Sequence, residues 1–90
     1  MIQHAVTTLP GPEVLARAKQ FFAERVPHSA AHPEKEGPTW LVLRGQGGEE
    51  VALAVFPAEG ITRVRASTFL FDQAVSRFLS TLPAPAGVSA

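Results

Sequence analysis

The longest stretch without a polar side chain is Val51–Ala58, VALAVFPA. It has the length of a strand and falls far short of the ~20 residues that a membrane-spanning helix requires. A strand with one side in water alternates apolar with polar residues. Here Val51, Leu53 and Val55 alternate with Ala52, Ala54 and Phe56, so both sides are apolar. Any fold for this chain must therefore account for two apolar faces on one strand. With 90 residues it is a single domain, expected to bury roughly 60–65% of its unfolded surface. The domain is assigned to 1–83, and the Pro-, Gly- and Ser-bearing stretch 84–90 to a flexible tail.

Proline and glycine punctuate the rest. Ile2–Leu9 reads as a first strand, stopped by Pro10 and Gly11. Pro12 suits a first helical turn and Glu13 the positive end of a helix dipole. Val14, Leu15, Ala18, Phe21, Phe22 and Val26 then recur at helical spacing up to Pro27. Pro27–Pro38 reads as a loop. Three strand-like runs follow: Thr39–Arg44, Glu50–Phe56 and Ile61–Leu70. Asp72 is the expected N-cap of a second helix, with Val75, Phe78, Leu79 and Leu82 as its stripe and Pro83 as its stop. The class is α+β: a four-stranded antiparallel sheet with two helices on one face, in the order β-α-β-β-β-α.

A hairpin at Pro57–Gly60, with Phe56 opposite Ile61, sets Val51, Leu53 and Val55 on one face with Thr62, Val64 and Ala66. The opposite face carries Ala52, Ala54 and Phe56 beside Ile61, Arg63, Arg65, Ser67 and Phe69. A five-residue connection before Glu50 would add Trp40, Val42 and Arg44 to that face. A four-residue connection would add Leu41 and Leu43 instead. The expected contact residues are Trp40, Ala52, Ala54, Phe56, Arg63, Arg65 and Phe69.

Little else in the chain carries chemistry. Without cysteine there is no disulfide framework, zinc finger or thiol nucleophile. Eight basic residues balance eight acidic ones, which argues against a general nucleic-acid binder dependent on phosphate neutralisation. His28 and His32 have metal-ligand spacing on a helix, but Pro27 and Pro33 flank them. Ser29 adjoins His28 without a nucleophile-elbow motif around it. The glycines of Arg44-Gly45-Gln46-Gly47-Gly48 join two strands and read as a turn, across which Arg44 can pair with Glu49 or Glu50. No cofactor is implied. MIQHAVTTLPG lacks a basic region followed by a long apolar run, so the protein reads as soluble and cytoplasmic, with no membrane partner.

The order α-β-β-β-α over Glu13–Leu82 resembles the double-stranded RNA-binding domain. That family opens its final helix with Lys-Lys-x-Ala; this chain has Phe71-Asp72-Gln73-Ala74, and the function is not carried over. With Ile2–Leu9 included, the order also resembles the small TBP-like and helix-grip domains, in which a curved sheet wraps a C-terminal helix. The resemblance implies an apolar ligand between sheet and helix. A final helix of about eleven residues, ~16 Å long, leaves little space for one.

The surplus apolar face points to a non-enzymatic interaction module that self-associates as a homodimer through it. An apolar small-molecule binder of helix-grip type is the alternative. A single-stranded nucleic-acid binder using Trp40, Arg63 and Arg65 is third.

Overall fold

The computed structural model describes residues 2–24, 31–45, 48–69 and 71–84. Among them are five strands and two helices: β1 (Ile2–Thr7), α1 (Gly11–Glu24), β2 (Ala31–Glu36), β3 (Trp40–Gly45), β4 (Glu50–Ala58), β5 (Ile61–Phe69) and α2 (Asp72–Ser80). The class is α+β, and the sheet is antiparallel throughout with strand order β1-β5-β4-β3-β2. His28, Val26 and the tail 85–90 lie outside the described residues.

The sheet has five strands where four were expected. The added strand, β2, comes from the segment read as a loop. Its sequence, AHPEKE, has no apolar period to reveal it, because only Ala31 is buried. An edge strand pairs on one side only and can carry charge and proline. Pro33 stands opposite Leu43, and the register shifts between Pro33 and Lys35. The bulge absorbs the ladder irregularity that a proline brings.

The β4–β5 hairpin is also tighter than expected. Phe56 faces Arg63, and Ala58 faces Ile61, so the turn is Glu59-Gly60. Both residues have positive φ, 42° and 84°, which is the type I′ geometry that matches strand twist. Pro57 is part of β4 and lies opposite Thr62. The β3 ladder ends at Trp40 opposite Ala54, so the missing N–H of Pro57 takes no rung from it. The register moved by two residues, an even shift that leaves every side chain on its expected face.

Between β3 and β4, Arg44 faces Glu50, which selects the five-residue connection. Leu41 and Leu43 are therefore buried, with Val51, Leu53, Val55, Val64 and Ala66. Val14, Leu15, Ala18 and Phe22 of α1, and Ala74, Val75 and Phe78 of α2, complete the same core. The ring of Phe22 lies 5.9 Å from that of Phe71 and 6.1 Å from that of Phe78 by centroid. Each buried Val, Leu or Phe among them contributes about 1.5–3 kcal/mol.

α1 links β1 to β2, the two edges of the sheet. Fourteen residues of helix give ~21 Å, comparable with the ~19 Å between the first and fifth strands of a sheet. Its start is held close: an ideal Cβ on Gly11 would meet Val55 Cγ2 at 2.8 Å. Asp72 does not cap α2. Phe71 occupies that position without a side-chain cap, and Asp72 lies in the first turn, where its charge favours the dipole.

β1 is fastened to α2 and the residues after it. Gln3 Nε2 donates to the Asp72 carbonyl at 3.1 Å, and the Ser76 hydroxyl donates to Gln3 Oε1 at 2.8 Å. The buried Thr7 hydroxyl donates to the Pro83 carbonyl at 2.7 Å, and the Thr8 N–H reaches the same oxygen at 3.2 Å.

Two stability changes follow. Gly11→Ala should destabilise by about 1–3 kcal/mol through the clash with Val55, despite alanine's advantage of ~1 kcal/mol in helix propensity. Glu59→Asn should stabilise by up to ~1 kcal/mol, because asparagine tolerates the left-handed conformation. Urea titration measures both; a stabilised Gly11→Ala contradicts the close approach to Val55, and a destabilised Glu59→Asn contradicts the type I′ turn.

Candidate functional site

The face of the sheet opposite the core is defined by the residues that alternate with the buried ones. Register arranges them in lateral rows. One row runs His4, Arg65, Ala54, Trp40, and the next Ile2, Ser67, Ala52, Val42, Lys35. Beyond the first lie Val6, Arg63 and Phe56; beyond the second, Phe69, Glu50, Arg44 and His32. All seven residues expected from sequence therefore share one face. Arg65, Ala54 and Trp40 are cross-strand neighbours, as are Arg63 and Phe56, whereas Phe69 lies two strands from Arg44 at the other end.

The relief of this face follows from residue size. Ala52 and Ala54 form a low strip along β4, with Trp40 and Val42 on one side and Ser67 and Arg65 on the other. Large apolar groups stand around it: Ile2 is 50% exposed, Trp40 40%, Phe56 50% and Phe69 61%. These values are high for side chains whose burial is favourable. Trp40 is steadied from beneath by Gly37, where any Cβ would run into its indole. The Gly37 N–H donates to the Trp40 carbonyl at 2.9 Å.

Charge is distributed unevenly. Arg44 Nε donates to Glu34, and its Nη2 lies 3.5 Å from Glu50. The Glu34 hydrogen bond and charge, with Glu50 behind them, hold the Arg44 guanidinium above its ordinary pKa. Glu34, delivered by the β2 bulge, takes the place expected for Glu49. Arg63 and Arg65 are exposed, and among the described residues no carboxylate pairs with either. They border an open depression of about 240 Å³ lined also by His4, Val6 and Phe56.

Sequence reasoning missed Ile2, His4 and Val6, which reach this face because β1 pairs with β5. Their alternation with Gln3, Ala5 and Thr7 was readable, but no local signal names a partner some sixty residues away. His32 is exposed on β2 opposite Arg44, and its proposed companion His28 lies outside the described residues. Among the described residues no three His, Asp or Glu side chains are grouped to hold a metal ion. Nor, among them, is any helix long and apolar enough to cross a membrane. No family model, curated protein or solved structure matches the chain.

Of the large apolar groups on this face Phe69 is the most exposed, at 61%. Phe69→Ser should therefore change the unfolding free energy by less than ~0.5 kcal/mol, against about 3–5 kcal/mol for Phe78→Ala in the core. A loss of more than ~1 kcal/mol at position 69, by urea titration at ~25 °C, would show that its ring is packed.

Proposed function

We propose that this chain is a non-enzymatic interaction module of the cytoplasm, with both helices covering one face of the sheet, and that it self-associates through the other. The observation that carries this reading is the alanine strip of β4 between exposed Trp40, Phe56, Ile2 and Phe69. A flat, small-residue centre lets a second backbone approach closely. Aromatic and arginine side chains around it are the types enriched at protein interfaces.

Area is consistent with a small dimer. Five strands at ~4.8 Å and lengths of ~20–30 Å give roughly 500–700 Å² of sheet, against ~800 Å² per partner in a standard interface. A two-fold axis along β4 sets Ala52 on Ala52 and Ala54 on Ala54, with Arg65 of each copy over Trp40 of the other. Guanidinium on indole is a favourable stack. The packed rings of Phe22, Phe71 and Phe78 favour the open face over the sheet–helix layer as the binding surface.

Sedimentation velocity tests the reading. The wild type should pass from monomer to dimer between micromolar and millimolar concentration, and the emission of Trp40, the single tryptophan, should shift to the blue as it does. Arg63→Glu combined with Ala54→Glu should remain monomeric with an unchanged helical signal. A wild type that stays monomeric over the whole range removes the proposal.

A further inference from the structure

The two edges of the sheet differ in kind. β2 carries the features that discourage pairing with another chain: Pro33, a bulge after it, and the charges of Glu34, Lys35 and Glu36. Two of those side chains are also tied down, Glu34 to Arg44 and Glu36 to Lys19. β1, IQHAVT, has no proline and no Asp, Glu, Lys or Arg, and its six residues pair with β5 in unbroken register. Among the described residues no other backbone segment pairs with Ile2–Thr7 on the side away from β5. At the end of the strand the Thr8 N–H is taken by Pro83, so the free rungs are confined to β1 itself.

From this contrast we infer that β1 is a docking edge for an extended acidic peptide of a partner protein, added to the sheet as an antiparallel or parallel strand. Backbone hydrogen bonding supplies the attachment, as in other cases of strand addition. Charge selects the occupant. Arg65 lies beside His4 and Arg63 beside Val6, both exposed and without a carboxylate partner among the described residues. An added strand lies about 10 Å from β5, within the combined reach of a glutamate and an arginine across the intervening residue. On the other side of the sheet the margin carries no formal charge along β1: Ala5, half-buried against the core with Leu79, stands between Gln3 and Thr7, whose side chains are already bonded to the Asp72 carbonyl, Ser76 and the Pro83 carbonyl. The matching peptide therefore alternates acidic with apolar residues.

A second copy fits this edge poorly. Pairing β1 with β1 would set the two arginines of each copy along one continuous face, with no carboxylate between them. A nucleic acid could answer the arginines but offers no ladder of N–H and C=O groups to the strand edge.

The test uses fluorescein-labelled acetyl-Glu-Val-Glu-Val-Glu-Val-amide and its Lys-Val counterpart. Both are titrated by anisotropy against the wild type and against Ala52→Lys, whose open face cannot pair, so that edge binding and dimerisation are read separately. The Glu-Val peptide should bind about two- to thirtyfold more tightly than the Lys-Val peptide, the sum of two exposed charge pairs. Binding should slow amide exchange in β1 and leave β2 unchanged. The double variant Arg63→Glu, Arg65→Glu should reverse the preference between the peptides. Equal affinity, no binding by either peptide, protection at β2, or preferential binding of an oligothymidylate overturns the inference. Protection of β1 that grows with protein concentration alone overturns it in favour of a second copy.

Discussion

A strand that is apolar on both sides must satisfy its backbone as well as its side chains, and in this fold the backbone decides where it goes. β4 is hydrogen-bonded on both flanks, to β3 and to β5, so its amides and carbonyls are removed from water over most of its length. Only one of its faces meets the core. Val51, Leu53 and Val55 are 0–2% exposed, while Ala52 and Ala54 are half-buried by their neighbours on the sheet and not by a second layer. The alanines bury little area and so cost little when left open. The large groups around them have no such excuse, and they concentrate the apolar surface where a partner would find it.

The same backbone demand explains the asymmetry of the edges. A sheet of five strands has two that are paired on one side only. β2 meets that exposure with proline, a bulge and charge, and uses the bulge to bring Glu34 onto Arg44. β1 meets it with none of these. It is instead held by its inward side chains, Gln3 and Thr7, to the start of α2 and to the residues beyond its end. Its position is fixed, while among the described residues no segment pairs with its outer side.

Much of this was legible from residue order. The stripes of α1 and α2, the meander β3–β5 and the face assignment of Trp40, Ala52, Ala54, Phe56, Arg63, Arg65 and Phe69 follow from period and parity. Parity even survived a wrong hairpin register, since the shift was by two. β2 was illegible because its identity rests on pairing with β3 and not on any burial of its own. The type I′ turn was hidden by Pro57, a stronger turn signal than Glu59 that in fact sits within β4. The neighbour of β1 was illegible because the pairing is remote in sequence, and with it went the place of Ile2, His4 and Val6 on the open face.

That remoteness has a consequence in time. β1 is the first element of the domain to be synthesised, yet the strand it pairs with, β5, is the last of the five. The latch residues, Asp72, Ser76 and Pro83, come later still. Closing a loop of about sixty residues costs roughly 3–4 kcal/mol in chain entropy. Until β5 and α2 are in place, a short segment without proline or formal charge waits unpaired, and the strand that completes the sheet is the one that has waited longest.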